Sequence, residues 1–215
     1  MQAVGERLVQ IESGGVRIEG SLAMPENARG IVVFAHGSGN GRFSPRNQYV
    51  AMILRNAGLG TLLMDLLDER EADERAKVFD IGLLTTRVIA ATDWLREYPE
   101  TAELAIGYFG ASTGAAAALQ AAAKLGPLVK AVVSRGGRPD LAALYLKRVM
   151  APTLLIVGGN DLAVIPLNQH ALGLLSGPKD MRIVPGATHL FEEEGALDQV
   201  AGLATEWLLR YLVKG

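Results

Sequence analysis

The chain contains no cysteine. That excludes disulfides, thiolate-bound metal sites and a sulfur nucleophile. Neither sign of charge is in excess: 21 Lys and Arg stand against 23 Asp and Glu, a net charge of -2. Such a balance builds no basic surface for nucleic acid, and no basic amphipathic stretch marks a membrane surface. No apolar run approaches the length of a transmembrane span. Residues 1–15, interrupted by Glu6, Arg7 and Glu12, lack the apolar centre of a signal peptide. The expectation is a cytoplasmic protein with neither nucleic-acid nor membrane partners. Only three histidines are present, so a reaction that needs an imidazole base can be assigned largely by elimination.

What the chain does have is core. Hydrophobic residues make up 49% of its 215 positions, which suits one domain over residues 1–215. Residues 7–11 and 16–24 alternate around Ser13-Gly14-Gly15 and predict an antiparallel hairpin. Residues 30–35, 60–65, 104–109, 128–134 and 153–157 are apolar runs expected of strands buried on both faces, with a shorter strand at 180–184. Helical patterns fall between and after them, at 45–56, 78–98, 113–125, 140–148, 165–175 and 195–212. The charged stretch 68–77 reads as a solvated connection into the second helical region, 78–98. Strand and helix alternate after the hairpin, which predicts an α/β fold: a mostly parallel sheet with helices on both faces. Ligands of such sheets bind beyond the carboxyl ends of the strands. The loops 36–41, 110–114, 158–161 and 185–189 are all predicted to lie there.

Gly110-Ala111-Ser112-Thr113-Gly114 joins an apolar run to an alanine-rich helix. It fits the G-x-S-x-G nucleophile elbow, whose sharp turn lifts the serine hydroxyl off the backbone. Glycine is needed on both flanks because a side chain would collide with the neighbouring strand and helix. A serine hydroxyl requires a base at neutral pH. His170 falls within a predicted helix. His36 ends a strand before a glycine-rich loop and suits a backbone-bonded structural role. His189, in the loop after the last strand, is the candidate base.

The base in turn needs a carboxylate to fix its tautomer and to stabilise the imidazolium. In serine hydrolases of the α/β kind the acid lies between serine and histidine in the chain. Asp140, Asp161 and Asp180 are the acids in that interval. Asp140 suits a helix cap and Asp180 a turn, which leaves Asp161 at the end of a buried strand. The oxyanion of acyl transfer calls for two backbone N–H donors; those of Thr113 and Ser38 are expected. Gly37, Gly39, Phe43 and Leu190 are candidate substrate contacts. Arg42, Arg46, Arg135 and Arg138 lie in or near loops at the same edge, where one could attract an anionic substrate. The loop 36–41 fails the dinucleotide fingerprint, since Arg42 stands where its third glycine would be, and it has no Walker lysine.

Four segments together carry a resemblance: His36-Gly-Ser-Gly39, Gly110-Ala-Ser-Thr-Gly114, Gly159-Asn-Asp161-Leu-Ala-Val164 and Gly186-Ala-Thr-His189-Leu-Phe191. In this order and spacing the chain resembles the α/β-hydrolase superfamily, and within it the small dienelactone-hydrolase-like serine hydrolases. The resemblance implies a sheet of about eight strands whose second strand is antiparallel. It also implies Ser112 as nucleophile, His189 as base and Asp161 as orienting acid, with no metal or organic cofactor. One departure is chemical: dienelactone hydrolases proper use cysteine, so the resemblance implies acyl-transfer chemistry but not the dienelactone substrate. Residues 135–151 leave room for one helix and no large cap. The expected activity is a serine carboxylesterase on small, short-chain esters. A thioesterase, an amidase or peptidase, an acyltransferase, or a non-catalytic binding protein of the same fold are the alternatives.

Overall fold

The computed structural model describes residues 5–38 and 41–213. The chain opens with β1 (Glu6–Ser13) and β2 (Val16–Ala23), paired antiparallel with Ser13 opposite Val16. Gly14 and Gly15, at φ 61° and 80°, make the two-residue turn between them. Both central residues of this turn type need positive φ, which glycine adopts without steric cost. β3 (Ile31–Ala35), β4 (Gly60–Met64), β5 (Ile106–Ala111), β6 (Val129–Arg135), β7 (Thr153–Gly158) and β8 (Lys179–Val184) complete an eight-stranded sheet of order β1-β2-β4-β3-β5-β6-β7-β8. Strands β3 to β8 pair in parallel, and β2 runs antiparallel to both its neighbours. This is the α/β-hydrolase fold.

Alternate residues of the central strands serve opposite layers. Ile31, Val33 and Ala35 pack with α4 (Ile81–Glu97) and α5 (Thr113–Leu125), while Val32 and Phe34 pack with α1 (Pro45–Asn56) and α8 (Ala196–Leu212). Every residue of β3 is buried, which is why the strand reads as an unbroken apolar run. α5 is buried over all of residues 113–123, and seven of those are alanine. It is therefore buried all round rather than amphipathic.

Three local expectations differ from the structure. The charged stretch carries two short helices, α2 (Glu69–Ala72) and α3 (Arg75–Val78), and Glu71 is buried there. Asp68 and Glu71 form a reciprocal capping box, which satisfies two free helix donors at once. The long helix begins at Ile81 rather than 78, because the Asp80 carboxylate accepts the Leu83 N–H at 2.9 Å and caps it there. The helix expected over 140–148 is a 3-10 turn, Pro139–Ala142, followed by the short α6 (Ala143–Leu146). α7 (Ile165–Leu174) follows β7 as expected. Among the described residues no helix is long and apolar enough to cross a membrane.

Candidate active site

Ser112 sits between β5 and α5 at φ 51°, ψ -122°, a region that costs a non-glycine residue strain. Its backbone is held from several sides. The N–H donates to the Arg135 carbonyl at 3.3 Å, and its carbonyl accepts from Ala115 and Arg138, each at 3.1 Å. The flanking glycines are sterically required. A Cβ on Gly110 would lie 2.5 Å from the Ala115 Cα, and one on Gly114 would overlap the carbonyl oxygens of Ala35 and His36. Gly37 is confined by the serine itself, since a Cβ there would come 2.8 Å from the Ser112 Cβ.

The loops after β7 and β8 are tied to each other. Gly159 N–H donates to the Val184 carbonyl at 2.8 Å, Asn160 N–H to Ala187 at 2.9 Å, and Asn160 Nδ2 to Gly186 at 2.9 Å. These bonds bring Asp161 to His189, with Oδ2 and Nδ1 2.7 Å apart. Asp161 is the more withdrawn partner, its side chain 11% exposed against 39% for His189. With Nδ1–H donating to the carboxylate, Nε2 is left as an acceptor.

Ser112 and His189 line one cavity of about 160 Å³, together with Gly37, Ser38 and Leu190. The Ser112 hydroxyl makes no hydrogen bond among the described residues. Catalytic hydrogen bonds of this kind commonly tighten only when substrate is present. Thr113 supplies the first N–H of α5, where the helix dipole favours negative charge. Ser38 borders the same cavity from the loop after β3. The arrangement can attack a carbonyl, shuttle a proton and hold an oxyanion.

The other histidines are placed differently, although His36 also borders the cavity. His36 Nε2 accepts the Leu66 N–H at 2.9 Å, so its Nδ1–H donates to the Gly37 carbonyl at 2.6 Å. Both ring nitrogens brace the loop, and burial lowers the imidazole pKa, keeping it neutral. His170 is exposed on α7. Asp140 pairs with Arg138 at 2.8 Å instead of capping a helix, and Asp180 accepts from Met181 N–H and Arg182.

Phe43 does not line the serine cavity. It is 67% exposed, stacks on the Arg42 guanidinium, and lines a neighbouring cavity of about 600 Å³. The two cavities share His36, Gly37 and Ser38. Glu69, Ala72 and Val78 of the charged stretch border the larger one. Gly39 lies outside the described residues. Tyr108 is fully buried in the sheet, with its hydroxyl 2.6 Å from Thr92 Oγ1, and does not reach the site.

Two residues on the serine cavity were not singled out from the sequence, Ser44 and Asn47, both at the start of α1; Arg46, between them, was among the arginines expected near this edge. Arg135 lines it too. Its position at the end of a buried strand, beside Gly136-Gly137, was the available signal. Of the four arginines near this edge, Arg42 pairs with Glu19 and Asp65, Arg46 with Glu192 and Arg138 with Asp140; Arg135 joins no ion pair among the described residues. No cluster of His, Asp or Glu suited to a metal ion occurs among the described residues.

Comparison with known proteins places this geometry. A crystal structure of a dienelactone hydrolase from Anabaena variabilis superimposes with a TM-score of 0.94 at 56% identity, covering 97% of this chain and 99% of that one. Est1E from Butyrivibrio proteoclasticus shares the fold at a TM-score of 0.81 and 16% identity, over 94% of this chain and 98% of its own. Two proteins from Mycobacterium tuberculosis strains, which carry the provisional name phosphoribosyl transferase, are 58% identical over 204 residues. That match takes in 95% of this chain and 46% of theirs, so the chain spans about half the length of these relatives. The family model for dienelactone hydrolases matches residues 18–207, and the chain belongs to the dienelactone hydrolase family.

Proposed function

We propose that the chain is a serine carboxylesterase acting on small esters. The observation that carries this is a serine held at φ 51° in the same cavity as a histidine whose Nδ1 lies 2.7 Å from Asp161. Ser112 Oγ attacks the ester carbonyl while His189 Nε2 takes its proton. The N–H groups of Ser38 and Thr113 stabilise the oxyanion as it forms. His189 then protonates the departing alcohol. Water, activated by the same imidazole, hydrolyses the acyl-enzyme and frees the serine. Asp161 fixes the imidazole tautomer throughout. The small cavity favours short acyl groups.

The name of the Mycobacterium relatives suggests a different reaction for proteins about twice as long. Phosphoribosyl transfer makes no use of an acyl-enzyme, whereas the groups gathered here are those that acyl transfer requires. Ester hydrolysis is therefore the reading for the portion these proteins share.

The test is the intact mass after treatment with a fluorophosphonate. One adduct on the native protein and none on Ser112→Ala is the expected result, together with hydrolysis of short-chain esters by the native protein alone. An unlabelled native protein, or undiminished ester turnover by Ser112→Ala, would sink the assignment. Matched ester, thioester and anilide substrates then rank the acyl-transfer alternatives.

A further inference from the structure

The cavity of about 600 Å³ beside the serine has no part in the acyl-transfer chemistry, since neither Ser112 nor His189 lines it. Its deepest residues are apolar. Ile18 of β2 and Leu84 of α4, 1% and 3% exposed, belong to the core layer on that face of the sheet. Leu67, Ala72 and Val78 add apolar lining from the stretch between β4 and α4, and Phe43 adds an exposed ring. Apolar side chains that border a recess without filling it leave their surface to water, at a cost that grows with the area. A recess of this size and lining is the usual form of a small-molecule site.

The charged groups around this cavity are matched within the chain or lie in water. Arg42 pairs with both Glu19 and Asp65, and Arg17 pairs with Glu12. The Asp68 carboxylate accepts the Glu71 N–H at 2.7 Å as the cap of α2. Glu69 is exposed. An ionic ligand would have to break one of these pairs or bring an unmatched charge, so the lining fits an uncharged, apolar occupant. Position then says what the occupant is attached to. The two cavities share His36, Gly37 and Ser38, and Ser38 carries one of the N–H groups assigned above to the oxyanion. A group lodged in the larger cavity therefore lies next to the reacting carbonyl.

We propose that the larger cavity binds the alcohol portion of the ester, an uncharged, apolar group of ring size. The proposal deepens the esterase reading and rests on it. The serine cavity, at about 160 Å³, takes the reacting carbonyl and a short acyl arm, so the long arm of the ester is its alcohol. The substrate class is short-acyl esters of bulky apolar alcohols. Seating the alcohol removes its own surface from water and covers Leu67, Val78 and Phe43 at the same time. It also holds the ester against the 36–38 loop with its carbonyl at Ser112. The short helices α2 and α3, which carry Ala72 and Val78, thus select substrate and do not act on the reacting atoms.

The experiment measures kcat/KM along two ester series. In the first the acid stays acetic and the alcohol grows: methyl, butyl, benzyl and 2-naphthylmethyl acetate. In the second the alcohol stays methanol and the acid grows: methyl acetate, butyrate, phenylacetate and 2-naphthylacetate. The alcohols of the first series are similar leaving groups, so differences among them report binding. For the native protein kcat/KM should rise by about tenfold or more along the first series, and stay level or fall along the second. Ala72→Trp, which fills the cavity from α2, should bring the ratio of 2-naphthylmethyl to methyl acetate back toward one. Ala76→Trp places the same side chain on exposed α3 away from the lining and should keep the native ratio. Taking a ratio within each variant removes any difference in folded fraction, and Val78→Trp replaces Ala72→Trp if the latter does not fold. The proposal is overturned by a flat first series, by a rise along the second as large as along the first, by an unchanged ratio in Ala72→Trp, or by an equal loss in Ala76→Trp. If no ester is hydrolysed and Ser112 takes no fluorophosphonate, the esterase reading has failed separately. The cavity is then tested with 2-naphthylmethanol alone, followed by its fluorescence anisotropy. Saturable binding to the native protein and Ala76→Trp but not to Ala72→Trp supports a site for an apolar alcohol; no binding, or equal binding to all three, overturns it.

Discussion

Arg87 and Arg135 are both withdrawn from water, at 2% and 7% exposure, yet only Arg87 is matched by the fold. Arg87, on α4, donates to both Glu71 carboxylate oxygens, at 2.8 and 3.1 Å, and to the Ser13 carbonyl. It joins the capped turn of α2 and the end of β1 to the long helix. Arg135 has no such partner and faces a cavity. A buried charge that serves architecture brings its counter-ion within the chain. The same contrast extends to the backbone: Asp68 and Glu71 form a relaxed cap, while Ser112 is held at positive φ.

The largest effect should come from Ser112→Ala, which lowers turnover by about 10⁴-fold or more without lowering Tm. A loss of fold in that variant would erase the distinction between the two regions. Glu71→Ala should do the reverse. It strands Arg87 without its counter-ion and costs about 3–5 kcal/mol, read as a lower denaturation midpoint, while the folded fraction keeps its specific activity. Arg135→Met removes a charge that has no partner, so it should leave stability unchanged or raise it by an amount on the order of 1 kcal/mol, read as an unchanged or higher Tm. A fall as large as that of Glu71→Ala would show that Arg135 is architectural after all.

The smallest effect concerns His36. Burial holds its folded pKa below the ordinary 6.5, so below that pH the unfolded chain takes up a proton that the folded state refuses. The stabilisation is complete above pH 6.5 and is lost as pH falls from there toward the folded pKa. Replacing it with Gln should flatten the Tm profile below about pH 6.5 relative to the native protein.

Much of this was legible before the structure because the sheet writes itself in period and punctuation. Both strands of the hairpin and the glycines between them were readable, as were the five doubly buried strands and the elbow. The three loops that bring Ser112, Asp161 and His189 to one edge followed from strand order, and the His189–Asp161 contact is present as expected. The misses share a cause: each depends on a partner far away in the chain. Glu71 looks like part of a solvated charge run until Arg87, from the next long helix, reaches it. Arg135 was one of four candidate arginines, and only tertiary pairing of the other three singles it out. Asp80 could have been recognised as a cap; the apolar periodicity running through Val78 and Phe79 concealed it.

α5 gives the elbow one further property. Its alanines, 115–118 and 121–123, are buried and have no side chain that could swing away to absorb a change. The helix works like a shaft machined without clearance, and the serine is its tip. Adding a methyl or two at these alanines would shift the shaft and Ser112 with it. On the esterase reading, such substitutions, away from the serine cavity, would register in assays as catalytic defects. The surrounding loops, which bear no such load, are where a new substrate preference can be built without moving the nucleophile.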